Sequence, residues 1–492
     1  MTPTNPERAI DTAIMLRKAG RGGEAAELLE RTLAAHPRNA RLWQTLGTVH
    51  RARQDSAAAI DAFAEAARQA PNDMKAAYGV AQASLEAGRP AAALFEAVKR
   101  LAPSEASVWL GQTAALFADG RATDAITTLD AVVRANPLWL DGQAALARLK
   151  WMLGDSQGFA SGYFDAIRSD PGNVTLWSAL TDLLIHVERY ADARAVVTEA
   201  RRATGMPLLL ALADAICASE IGDVATADAG FAALGKLTDV AVVERHARHL
   251  LRTRRADEAA RRIEPLLEGS GGQTLWPYAS LAWRLTGDHR AEWLEGDPEL
   301  VAAIDLEMLA PLLPALSERL RTLHQAKRDP LGQSVRGGTQ TDGPLFALEA
   351  SEIRAVRAAV VEAVERYSTA LGAPDPTHPT RRHAGKRFIF SGSWSVRLSG
   401  AGHHTNHVHP NGWLSSALYV ALPSEETIGP APSGWLQLGE PPRELGLDLP
   451  PFQTIEPKPG KLVLFPSTMW HGTVPINRGE RLTIAFDVAP VG

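Results

Sequence analysis

A period constrains this chain before anything else does. Pro37, Pro71, Pro103, Pro137 and Pro171 are separated by 34, 32, 34 and 34 residues. Six residues after three of them stands a tryptophan, Trp43, Trp109 and Trp177; after Pro71 the aromatic is Tyr78, one place later. About halfway through the units comes a turn signal: Gly88-Arg89, Gly120-Arg121, Gly154-Asp155 and the degraded Glu188-Arg189. Alanine-rich amphipathic stretches follow, as in Ala57–Ala70 and Thr123–Asn136. Such a unit reads as helix–turn–helix. Proline opens the first helix, glycine takes the tight turn, and small alanines let the two helices approach. One unit cannot bury its apolar face, so units must stack into a solenoid with the tryptophans in the inter-helix core. Gly222-Asp223 and Gly287-Asp288 repeat the turn more weakly, and the helical array is expected over residues 1–325.

These repeats resemble the tetratricopeptide family, clearly over about residues 5–205 and more weakly to about 300. The resemblance implies a concave surface that receives a peptide or partner protein. The net charge of −5 argues against bulk affinity for nucleic acid or anionic membrane. Cys217 is the only cysteine, which excludes an intrachain disulfide and fits a reducing compartment. Met1–Ala9 reads as polar and helical with no apolar leader, and no apolar run reaches the roughly 18 residues that span a bilayer. The expected location is cytoplasmic.

Residues 326–385 read as a junction loop with a supporting helix. Arg328–Gly343 is rich in glycine and polar residues and breaks the helical pattern, as a linker or as an ordered loop covering its neighbour. From Ser351, a plausible N-cap, Ile353, Val356, Val360 and Val364 fall in one helical stripe that suits packing on a sheet.

From Arg387 the period becomes strand-like. Phe388–Leu398, Trp413–Leu422, Trp435–Leu438, Lys461–Phe465 and Arg481–Val488 alternate and are separated by glycine, proline and asparagine. Short strands without intervening helices point to an all-β sandwich or barrel over 386–492. Histidines gather here: His403, His404, His407 and His409 in one post-strand loop, and His471 after a later strand. Arg481 follows His471 by ten residues, and Thr483 shares its strand face.

The stretches Asn406-His-Val-His-Pro410, Leu414-Ser-Ser-Ala-Leu-Tyr-Val420, Leu464-Phe-Pro-Ser467 and, upstream, Ser334-Val-Arg-Gly-Gly-Thr-Gln-Thr341 resemble the Fe(II)/2-oxoglutarate-dependent oxygenases. They are closest to bacterial prolyl-hydroxylase-like members fused to tetratricopeptide repeats. The resemblance implies a double-stranded β-helix (jelly roll) that uses Fe(II) and 2-oxoglutarate, with ascorbate as a candidate reductant. It places His407, His409 and His471 at the iron, and Arg481, Tyr419 and Thr483 at the 2-oxoglutarate. Arg397, His404 and Trp413 are the candidate substrate contacts, whereas Trp394 and Trp470 are read as packing.

One departure stands out. The family's His-x-Asp/Glu is here His407-Val-His409, so the donor set lacks its carboxylate, and Asp487, six residues beyond Arg481, is far along the strand. Three functions stay open. The first is a dioxygenase hydroxylating a peptide or protein side chain brought by the repeats. The second is a tetratricopeptide scaffold with a degenerate β-domain. The third is a three-histidine dioxygenase that needs no 2-oxoglutarate.

Overall fold

A computed structural model describes residues 5–235 and 238–491 of the chain. Residues 1–4 of the polar N-terminal segment therefore lie outside the described residues; from Pro6 it is helical, capped by Asn5 Oδ1. Sixteen α-helices among the described residues run from Pro6–Lys18 to Ala256–Ile263, and each packs on its neighbours.

The repeat signature acquires a physical meaning. Pro37 does not open a helix: it lies in the turn before Ala40–Ala52, whose N-cap is Asn39 accepting from Leu42 N at 3.1 Å. Asp73 and Asn173 cap the corresponding helices at Met74 and Val174. A fixed proline φ suits a turn, and Asx side chains satisfy orphan N–H groups at helix starts. Trp43, Trp109 and Trp177 donate their indole N–H to the carbonyls of Pro37, Pro103 and Pro171 at 2.9, 2.9 and 2.8 Å. The six-residue spacing is thus a hydrogen-bonded clasp. Trp177 is buried as expected, while Trp43 and Trp109 are only half-buried. The turns between paired helices need a left-handed residue. Gly88 supplies it at φ +77°, and Glu188 takes the same place at φ +61°.

Nine strands occur among the described residues: β1 Ala302–Asp305, β2 Val335–Gln340, β3 Phe388–His404, β4 Leu414–Ala421, β5 Leu436–Leu438, β6 Gln453–Ile455, β7 Lys461–Pro466, β8 His471–Thr473 and β9 Glu480–Pro490. They form an antiparallel six-stranded sheet, β1-β7-β4-β9-β3-β2, and a smaller sheet, β6-β5-β8. A bridge between His407 and His471 adds a further rung beside β8. This is the double-stranded β-helix expected.

The expected boundary at residue 325 is wrong on structural grounds. β1 pairs with β7, and helix Leu313–Leu323 buries Leu316 and Leu320 in the same core as Leu462, Leu464 and Ile484. Residues 326–385 are not a mere junction either. β2 is the edge strand of the large sheet, and helix Ser351–Ala370 buries Ile353, Val356, Val360 and Val364 against its outer face. Ser351 is the first residue of that helix rather than its N-cap. Sequence period shows a strand's alternation, not its sheet partner, so it cannot place short segments that are remote in sequence from the strands they join.

The helical array wraps this β-domain, and it does so through the turn ends of its repeats. Ser56 Oγ donates to Ala347 O at 2.7 Å, and Arg89 grips both Glu349 oxygens at 2.8 Å. Arg148 pairs with Asp342 at 2.7 Å, Glu188 with Arg336 at 3.0 Å, and Trp151 Nε1 donates to Asp329 O at 2.9 Å. At the far end Trp470 Nε1 donates to Pro277 O at 3.0 Å and stands edge-on to Tyr278. No described helix is long and apolar enough to cross a membrane.

Candidate metal centre and carboxylate pocket

Alternation along β9 sorts its side chains. Leu482, Ile484, Phe486 and Val488 enter the core under the helices, whereas Arg481, Thr483 and Ala485 face a cavity of about 430 Å³ between the two sheets. β3 and β4 contribute Trp394, Ser415 and Ala417 to the same cavity, and the loop before β2 contributes Gly332, Gln333 and Ser334.

His407 and His471 meet across the small sheet. Each main-chain N–H donates to the other's carbonyl at 2.9 Å, so both rings leave the same face. Their ring centroids are 4.2 Å apart, and His409 lies 5.0 and 5.2 Å from them. One nitrogen from each of the three rings falls within 4.8 Å of the other two.

Every one of these rings is held through Nδ1. His407 Nδ1 meets Thr405 O at 2.8 Å, His471 Nδ1 meets Met469 O at 2.9 Å, and His409 Nδ1 meets Asp487 Oδ2 at 2.6 Å. Acceptors at Nδ1 require the proton there and leave Nε2 with its lone pair, which in His407 is met by Ser334 Oγ at 3.1 Å. Burial, more than the neighbouring rings, pushes the His407 imidazole down to about 3 and His471 well below its ordinary value. Neutral imidazoles that present a ring-nitrogen lone pair are what a divalent transition metal binds. The set fits a metal ion.

Asp487 is not remote from the site, contrary to the expectation from its place far along the strand. It is the cross-strand partner of Ser415, whose Oγ donates to Asp487 Oδ1 at 2.7 Å, and it sits directly behind His409. Alternation was the signal available: Arg481, Thr483 and Asp487 share parity on β9.

Deeper in the cavity lies an uncompensated cation. Arg481 is 2% exposed, and among the described residues its one hydrogen bond runs from Nη1 to Gly434 O at 3.1 Å while Nε is buried without a partner. Tyr419, wholly buried beneath the guanidinium at 5.0 Å, has a hydroxyl that also lacks a partner. Thr483 stands beside Arg481 on the wall, whereas Tyr419 is not among the residues that line the cavity. An unpaired guanidinium and phenol in an enclosed site are costly unless an anion completes them. The donor set fits a carboxylate. Phe465 and Leu436 close this end with apolar surface.

The three candidate substrate contacts fare differently. His404 lines the cavity, with Nδ1 3.1 Å from Ser334 Oγ, which also lies 3.1 Å from His407 Nε2. Arg397 does not reach the cavity: it lies on the opposite face of β3 and pairs with Glu480 at 2.6 Å. Trp413 does not reach it either, being core-buried with Nε1 donating to Thr380 O at 3.0 Å. The missed residue is Trp394, which lines the cavity with its ring 5.6 Å from His409 instead of serving only as packing. Trp470 is packing as read, against the helical array. His403 and His404 belong to the end of β3 rather than to a loop.

Comparison with known proteins agrees with both halves. Residues 10–73, 45–108 and 110–174 match the family model described as "Tetratricopeptide repeat", and residues 392–487 match that described as "Putative 2OG-Fe(II) oxygenase". The chain carries tetratricopeptide repeats followed by a domain of the latter description. "Protein FlbA" of Caulobacter vibrioides is 42% identical over 94 residues, 19% of this chain, and the match spans only 16% of that relative's length. A tetratricopeptide repeat protein from Parabacteroides merdae is 16% identical, with 46% of this chain and 91% of that chain covered at a TM-score of 0.31. MamA from Desulfovibrio magneticus is 16% identical, with 34% and 97% covered at a TM-score of 0.30. Likenesses of that size bear on neither arrangement nor function.

Proposed function

We propose that the β-domain, from about residue 300 onward, is an Fe(II)- and 2-oxoglutarate-dependent dioxygenase that hydroxylates a peptide or protein side chain. The observation that carries this is the clustering of three imidazoles, one nitrogen of each within 4.8 Å of the other two, in the same cavity as a buried guanidinium whose Nε has no partner among the described residues. His407, His409 and His471 would hold the iron, and Arg481, Tyr419 and Thr483 the far carboxylate of 2-oxoglutarate. When bound, the two together activate O₂ and, with loss of CO₂ from the keto acid, oxidise a C–H bond.

The chain's own residues prepare for this in distinct ways. Thr405, Met469 and Asp487 set the tautomer and orientation of the three rings before any ion arrives. Arg481 offers two donors in a plane, which suits a carboxylate better than a lysine would. Tyr419, whose ring lies beneath the guanidinium at 5.0 Å, would support Arg481 from behind. Phe465 and Leu436 keep water from the charged contact, which strengthens it. Trp394, Gln333 and Gln340 form the side of the cavity left for substrate.

The repeats support a polypeptide substrate. A second cavity, of about 400 Å³, lies between helices Met74–Glu86, Ala106–Ala118 and Leu140–Met152 and the loop 340–345. Gln340 lines both cavities, so a chain lying along the helices would come to the edge of the metal pocket there. The single cysteine, buried and with its thiol pushed up to about 12 by burial, accords with a reducing cytoplasm. The test is anaerobic titration with Fe(II) and then 2-oxoglutarate, followed by succinate release under O₂. Neither Fe(II)-dependent 2-oxoglutarate binding nor succinate would leave the scaffold reading standing. Turnover that survives without 2-oxoglutarate would favour the three-histidine dioxygenase instead.

A further inference from the structure

We propose that Asp487 is a positioning residue of the metal centre, supplying one bond removed from the ion the negative charge that the His407–His409 pair lacks among its donors. This rests on the reading of the three imidazoles as metal donors.

The three rings are held asymmetrically. All are held at Nδ1, but His407 and His471 are held by main-chain carbonyls, whereas His409 is held by a carboxylate. A carboxylate is the stronger acceptor and raises the donor strength of the imidazole it binds. His409 is also the residue standing where the resembling family carries its own acidic ligand. The charge absent from the first ring of contacts is therefore present directly behind the ring that replaced it.

The surroundings hold this arrangement rigid. Ser415 Oγ lies 2.7 Å from Asp487 Oδ1 and 3.0 Å from Ser467 Oγ, while Ser467 O accepts the His409 main-chain N–H at 2.9 Å. Both the ring and the backbone of His409 are thus tied to one small polar network. Ser415 and Asp487 are pinned by the β4–β9 and β4–β7 registers, in which Ser415 faces Asp487 and Phe465. Asp487 itself does not line the cavity, so it acts through His409 and not on a ligand.

The network makes a distinctive demand on the isosteric variant. In Asp487→Asn the Ser415 hydroxyl still donates to the side-chain oxygen, which turns the amide NH₂ toward His409 Nδ1. Two donors cannot face each other, so the ring must carry its proton on Nε2 and give up the lone pair meant for the metal. Asp487→Asn should therefore be at least as harmful as Asp487→Ala. Removing the Ser415 hydroxyl in addition lets the amide turn over and should recover part of the loss.

The experiment measures Fe(II) affinity anaerobically by chelator competition, together with the visible bands of the Co(II)-loaded full chain. Asp487→Ala and Asp487→Asn are expected to lose about ten- to a hundredfold in affinity and to shift the Co(II) bands. Ser415→Ala/Asp487→Asn should bind more tightly than Asp487→Asn alone. Asp487 variants that bind within about twofold of the unaltered chain, with unshifted bands, overturn the proposal; Ser415→Ala, expected to lose a few fold, serves if either variant fails to fold. His471→Ala separates the two levels. If it loses the ion while the Asp487 variants keep it, only the role of Asp487 falls; if it too binds normally, the metal centre itself is misplaced.

Discussion

His407 and His471, 64 positions apart in the chain, exchange both of their main-chain hydrogen bonds at 2.9 Å. A pair so bonded must send its side chains to one face, and the 4.2 Å between ring centroids follows from that backbone contact. The proposed ion site would therefore be built by sheet pairing, with loop geometry contributing only His409.

His471→Ala should abolish stoichiometric Fe(II) binding, with a loss no smaller than the roughly ten- to hundredfold typical of an outer partner. His403→Ala, a change outside the cavity, should leave binding as it was. Metal content after anaerobic reconstitution decides it: equal iron in His471→Ala and the unaltered chain would refute the assignment.

Arg481→Met should separate stability from binding. A buried guanidinium with one carbonyl partner costs desolvation, so the apo variant should melt at the same temperature or higher. Its 2-oxoglutarate binding should weaken by about 2–5 kcal/mol, the usual cost of removing one partner of a buried charge pair. Calorimetric titration and thermal melts measure both; unchanged 2-oxoglutarate affinity would exclude Arg481 from the cofactor site.

The seam between array and β-domain should depend on Trp470. It is 4% exposed, stands 5.6 Å edge-on to Tyr278, and donates to Pro277 O. Trp470→Ala should cost about 3–5 kcal/mol and ease proteolytic separation of the two halves. A single melting transition at the original temperature would show that the seam is held elsewhere.

Glu295 should give the fold a pH dependence. It is wholly buried, receives a 2.6 Å hydrogen bond from Ser280, and burial pushes its carboxyl up to about 7. Raised above the unfolded value near 4.5, it binds its proton in the folded state while the unfolded chain has lost it. Stability is thus full at acid pH and falls as pH rises from about 4.5 to about 7, by roughly 3 kcal/mol in all. Glu295→Gln should flatten that slope in melts between pH 5 and pH 8. A variant with the same slope as the unaltered chain would assign it to other groups.

Much of this was legible in one dimension. A proline–tryptophan spacing, a glycine turn and an alanine-rich face describe contacts within or between adjacent repeats, and such contacts lie within about 35 residues. The strand period after Arg387, the clustered histidines and the shared parity of Arg481 and Thr483 are local in the same sense. By themselves they determined repeat architecture, the change of fold class and the cavity-facing set on β9. Only the tertiary structure decided which distant segments pair: that Ala302–Asp305 joins β7, that Arg397 looks away from the cavity, that Trp394 looks into it, and that Asp487 backs His409. The physical reason is register. Alternation says that every second side chain shares a face, but a shift of one residue exchanges the faces. The choice is made by hydrogen bonds to strands that the sequence does not name.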